Sequence, residues 1–158
     1  MLNRKIVALI PARGGSKGIH RKNLHLVYGL PLIDYTINAA LSVKEIDEVY
    51  VSSDDVEIIE HSKKKGVKTI NRPAQYAADE SSAVCVVNHF IETIPNNVLK
   101  KNLVIVYLQP TSPLRNKEHI SKAINLLNDN SNSGLVSVVE LDKSPYKSFG
   151  IDKNGNLK

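Results

Sequence analysis

Apolar runs of strand length, rich in β-branched residues, recur at Ile6 to Ile10, Val49 to Ser52, Val67 to Ile70, Leu103 to Leu108 and Leu135 to Val139. A strand with one face in water alternates apolar and polar side chains, whereas a strand covered on both faces reads as a nearly continuous apolar run. Between these runs the apolar positions fall into helical spacing: Ile33, Ile37, Ala40 and Leu41, then Val84, Val87, Ile91 and Ile94, then Ile120, Ala123, Ile124 and Leu127. Asp55 to Lys65 predicts a weaker helix, with Val56, Ile58 and Ile59 apolar and Gly66 as its stop. Alternation of buried strands with helices predicts a three-layer α/β domain with a mostly parallel sheet. Ligands of such sheets sit at the carboxyl ends of the strands, so the loops after Ile10, Ser52, Ile70 and Leu108 are the ones to read for function.

The chain has 158 residues, 42% of them hydrophobic, which is enough for one such domain and crowded for two. No apolar run approaches the roughly 18 to 20 residues of a membrane helix, and the stretch from Met1 to Pro11 is too short for a secretory signal, so the cytoplasm is the expected compartment. The single cysteine, Cys85, excludes an internal disulfide and a Cys-x-x-Cys redox or zinc motif. Residues 1–140 are expected to form this domain. From Lys147 onward the sequence predicts a hairpin with its turn at Asn154-Gly155 and a return strand cut after two or three residues, so the chain is expected to stop short.

The net charge of +5 is unevenly placed. Arg4, Lys5, Arg13, Lys17, Arg21 and Lys22 all precede the first acidic residue, Asp34, while the other 15 of the 21 basic residues face all 16 acidic ones. An anion is therefore expected to meet the N-terminal segment. Nucleic acid is disfavoured, because the segment has one aromatic, Tyr28, and the chain has no Trp and no ring-rich platform for stacking bases. A small phosphorylated ligand fits better. The loop from Pro11 to Asn23 supplies Gly14, Gly15 and Gly18 with four cations at a strand end. Glycines let amides approach phosphate oxygens, and Arg and Lys offset the charge of a departing pyrophosphate. The spacing matches neither a Walker loop nor the dinucleotide fingerprint; a flexible basic turn is the alternative.

The run from Ile10 through Asn23, followed by Gly29 to Ile33, resembles the opening motif of the acylneuraminate cytidylyltransferases, also called CMP-sialic acid synthetases. Three further stretches match in order: Val51 to Asp55, Arg72-Pro73 with Asp79, and Leu108 to Arg115. The family usually has Pro where this chain has His20. The resemblance implies a Rossmann-like nucleotidyltransferase that joins CTP to a nine-carbon α-keto acid sugar, with Mg²⁺, and releases pyrophosphate. Acceptors of the same class are legionaminic, pseudaminic and octulosonic acids; a nucleotide-binding module without turnover is the alternative of another class. The family's metal-binding acidic pair and its dimerisation segment are expected beyond these residues, with 141–158 as the start of the latter, so a homodimer is expected of the longer protein and the metal ligands have no assignment here.

Carried over residue by residue, the resemblance makes Arg13, Lys17 and Lys22 the catalytic cations facing the triphosphate. Ala12, Arg13, Ser16 and the amides of Gly14 and Gly15 would bind phosphate, Asn23 would reach ribose or phosphate, Arg72 would contact cytosine, and Ser81 would line the base pocket. Ser81 and Ser82 are alternatively caps of the following helix. Gln109 and Ser112 would face the sugar. Asp54 and Asp55 are expected to favour the start of the helix that follows them, and Cys85 is expected to be a small core residue. His61, His89 and His119 share no metal spacing and read as surface or satisfied histidines.

Overall fold

The computed structural model describes residues 4–16, 18–77, 81–99, 102–129, 134–138 and 140. Its main sheet has four parallel strands in the order β5 (Lys68–Asn71), β4 (Glu48–Ser53), β1 (Arg4–Pro11), β6 (Asn102–Tyr107). β1 is the central element, pairing Ile10 with Val51 on one side and Leu9 with Tyr107 on the other. Its side chains go alternately to two cores. Ile6, Ala8 and Ile10 pack with Ile33 and Ile37 of α1 (Leu32–Leu41), Ile58 of α2 (Val56–Lys64), and Ile120 and Ile124 of α5 (Lys117–Asp129). Val7 and Leu9 pack on the opposite face with Val86 and Phe90 of α3 (Ala83–Thr93) and Val98 of α4 (Asn96–Leu99). Two covered faces are why these strands read as continuous apolar runs.

The helices begin and end on local chemistry. Asp55 caps α2 by accepting from the Glu57 and Ile58 amides at 2.8 and 3.1 Å, and Gly66 ends it with φ 78°. Ser82 caps α3 through the Cys85 amide at 3.3 Å. A short hairpin, β2 (Leu26–Val27) with β3 (Leu30–Pro31), turns at Tyr28 and Gly29, both with positive φ. α1 and α2 are joined by a buried carboxylate: Asp34 lies 2.6 Å from His61 Nε2 and 2.6 Å from Lys65 Nζ. Such a charge is tolerated out of water because both partners accompany it.

Two expectations fail. The strand predicted from Leu135 is absent over 134–138, where the backbone is irregular and Val136 and Val138 are 83% and 91% exposed. β-branching suits a strand but does not make one without a partner edge, and among the described residues nothing pairs with this segment. Cys85 is exposed, not a core residue, because it lies in the first turn of α3 while the buried stripe of that helix runs through Val86, His89 and Phe90. The predicted hairpin within 141–158 and its Asn154-Gly155 turn lie outside the described residues.

Candidate active site

An open cleft lies over the carboxyl ends of β1, β5 and β6, bounded by the loop after β1, the turn Ala74–Tyr76 and the start of α3. Its cationic part is built on β1. Where that strand ends, the Ala12 amide donates to Ser52 O at 2.9 Å, extending the β1–β4 register one step into the loop. The Gly14 amide then donates to Asp54 Oδ1 at 3.0 Å. Gly14 is required there because a Cβ would fall 2.6 Å from Asp55 Oδ2. The loop returns through Asn23, whose Nδ2 donates to Arg13 O at 2.8 Å. These bonds shape a cradle that brings Arg13, Gly15, Ser16 and Lys22 to the cleft.

The opposite part is built on β5. The Arg72 amide donates to Ser53 O at 2.7 Å, carrying the β4–β5 pairing past the strand end. Arg72 itself is 5% exposed, and its Nε and Nη2 have no hydrogen-bond partner among the described residues. Burial pushes its pKa down, opposed by the charge of Asp54 and by Tyr107, and reinforced by Arg13. A buried guanidinium left with open donors is costly unless a ligand completes it. Tyr107, the last residue of β6, also lines the cleft; burial raises its phenol pKa and the Arg72 charge opposes that. The Tyr76 ring, another wall, sits 5.0 Å from His89. Ser81 lines the cleft and donates to Gln75 O at 3.3 Å, leaving the capping of α3 to Ser82. Gln109 lines it as well, and its carbonyl is held by Arg115 Nη2 at 3.0 Å.

The structure thus gathers Arg13, Gly15, Ser16, Lys22, Asn23, Arg72, Ser81 and Gln109 at one cleft. Ala12 is buried beneath the loop, the Gly14 amide is spent on Asp54, and the exposed Ser112 holds Arg115 N with its carbonyl and stands outside the lining. Lys17 and Asp79 lie outside the described residues. Tyr76 and Tyr107 have no assignment from sequence, although Tyr107 immediately precedes one of the informative strand ends; Asp54, expected at the start of α2, leaves the capping to Asp55 and accepts from Gly14 instead. Among the described residues no group of three His, Cys, Asp or Glu is placed to hold a metal ion. Asp54, a carboxylate beside the cradle, accepts from the Gly14 amide. No helix of the described residues is long and apolar enough to cross a membrane.

A family model described as "Cytidylyltransferase" matches residues 7–151. A pseudaminic acid cytidylyltransferase of Campylobacter jejuni is 36% identical over 97% of this chain and 66% of its own length. An N-acylneuraminate cytidylyltransferase of Oncorhynchus mykiss is 35% identical over 98% of this chain and 34% of its own. The chain therefore spans 66% or less of the length of these relatives. A solved CMP:2-keto-3-deoxy-manno-octonic acid synthetase complexed with CTP superposes with TM-score 0.65 and 24% identity, over 80% of this chain and 48% of that one, which supports the Rossmann-like nucleotidyltransferase fold.

Proposed function

The chain belongs to the cytidylyltransferase family, and from that premise we propose that its cleft binds CTP and that the protein transfers CMP to the anomeric hydroxyl of a nonulosonic sugar. The observation that carries this reading is Arg72. Two buried N–H donors without partners among the described residues call for acceptors from a ligand, and a cytosine edge supplies O2 and N3 side by side. Arg13 and Lys22, in the cradle, face the phosphates. The sugar hydroxyl oxygen attacks the α-phosphorus in line and its proton passes to solvent, the bond to the β-phosphate breaks, and pyrophosphate leaves with the charge that these fixed cations offset. Among the described lining residues there is no carboxylate or histidine, so this reading assigns the chain no general base. Mg²⁺ enters it as an ion carried on the triphosphate, and a homodimer in the cytoplasm completes it.

Pseudaminic and N-acylneuraminic acids, the sugars in the two relatives' names, are the first acceptors to test, with legionaminic and octulosonic acids after them. The test is calorimetric binding of the four nucleoside triphosphates, followed by pyrophosphate release from CTP and Mg²⁺ with each sugar. Preferential CTP binding and turnover with one sugar are expected. Equal binding of all four triphosphates overturns the cytidine assignment. CTP binding without turnover for any sugar assigns a nucleotide-binding module instead.

A further inference from the structure

Arg21 lies outside the cleft lining, yet its surroundings connect the cradle to α2. Its backbone is left-handed, φ 51° and ψ 39°, at the start of the turn Lys22–Leu24. For a residue with a Cβ this conformation is unfavourable, so something must hold it. The carbonyl of Arg21 accepts from the Leu24 and His25 amides at 2.9 and 3.1 Å. Its guanidinium reaches the first turn of α2, with Nη1 2.7 Å from Glu57 Oε1 and Nη2 3.6 Å from Asp55 Oδ1. The next two residues are Lys22, which faces the cleft, and Asn23, which fastens Arg13. The N-terminal end of α2 thus controls the loop twice, through Asp54 on Gly14 and through Asp55 and Glu57 on Arg21.

We propose that Arg21 is a positioning residue: its fork onto Glu57 and Asp55 fixes the left-handed turn that aims Lys22 and Asn23 into the phosphate cradle. The inference rests on the CTP reading for its consequence but not for its geometry. An exposed ion pair contributes little to overall stability. The effect of this one is on where the loop stands, and it separates from a merely structural role by experiment.

Two readouts are compared in wild type, Arg21→Ala, Arg21→Gly, Arg21→Lys, Glu57→Gln and the Arg21→Ala/Glu57→Gln double variant. One is amide hydrogen exchange at Leu24 and His25 in the ligand-free protein, and the other is CTP affinity by calorimetry. Arg21→Ala, Arg21→Gly and Glu57→Gln are each expected to speed exchange at these amides by about tenfold and weaken CTP by about tenfold, with the thermal midpoint within a few degrees of wild type. Arg21→Lys recovers part of both, and the double variant is no worse than Arg21→Ala. Glycine accepts the left-handed turn freely, so wild-type exchange in Arg21→Gly means that the turn and not the ion pair does the positioning, and overturns the proposal. Unchanged exchange in Glu57→Gln overturns it too. A wild-type protein that does not bind CTP removes the nucleotide reading, while the exchange data still decide the role of Arg21.

Discussion

Asn23 holds Arg13 by its backbone: Nδ2 donates to the Arg13 carbonyl at 2.8 Å from ten residues away, with the Asn23 side chain buried. The amide that the sequence assigns to ribose or phosphate is therefore the clasp that closes the loop. Asn23→Asp puts an acceptor against that carbonyl, and CTP affinity is expected to fall by about tenfold or more, since an unmade buried bond costs roughly 1 to 3 kcal/mol. Calorimetry reads it, and wild-type affinity in the variant refutes the clasp.

Gly14 and Gly15 are expected to behave differently. A Cβ at Gly14 meets the Asp55 side chain at 2.6 Å, whereas one at Gly15 meets nothing within 4 Å. Gly14→Ala should lower unfolding free energy by about 1 to 3 kcal/mol by pushing aside the cap of α2, and Gly15→Ala should stay within about 0.5 kcal/mol. Urea denaturation of both variants makes the comparison, and equal midpoints would remove the packing argument.

Arg72 sets binding against stability. Its charge is buried with two donors unsatisfied among the described residues, and burial lowers its pKa. Arg72→Met is expected to raise the stability of the free protein by about 1 kcal/mol while weakening CTP by at least about tenfold. Loss of stability together with intact CTP binding would show that the guanidinium serves the fold and not the ligand.

Glu48 gives the fold an acid-sensitive joint. Burial alone would raise its pKa, but hydrogen bonds from Tyr50, Lys68 and Lys5 outweigh that and bring it from 4.5 to about 2. A folded-state pKa below the unfolded one adds stability that is complete above about pH 4.5 and is lost as pH falls toward about 2. Glu48→Gln is expected to cost about 1 to 2 kcal/mol at pH 7 and to flatten the stability profile across that window. Denaturant midpoints at several pH values measure it; an unchanged slope in the variant would assign the acid sensitivity elsewhere.

The sheet and its helices were legible because burial on two faces leaves a mark along Ile6 to Ile10 of β1 and Val49 to Val51 of β4, and because Ile33, Ile37, Ile120 and Ile124 keep helical spacing. The cleft was legible at Arg13, Lys22, Arg72 and Gln109, which follow strand ends. What the residue types could not reveal was how hydrogen bonds are allotted. Nothing in the sequence says that Gly14 gives its amide to Asp54 rather than to a ligand, or that Asn23 turns inward to Arg13. Leu135 to Val138 have strand composition and no strand, since propensity cannot substitute for a pairing edge. Cys85 was assigned to the core from an apolar neighbourhood, but its position on the turn of α3 faces it outward.

Arg72 follows β5, at one side of the four-stranded sheet, and Tyr107 ends β6, at the other. Three interstrand spacings of about 4.8 Å separate those strands, yet both side chains line one cleft. That meeting requires β5–β4, β4–β1 and β1–β6 all to be in register, because a slip of one residue anywhere turns a strand's side chains to the wrong face. A partly assembled chain, with any one of the three ladders unmade, does not present this pair. On the CTP reading, nucleotide affinity is then an assay of folding itself: a ligand that needs this pair is blind to intermediates, selects the fully registered sheet, and draws the population toward it by mass action.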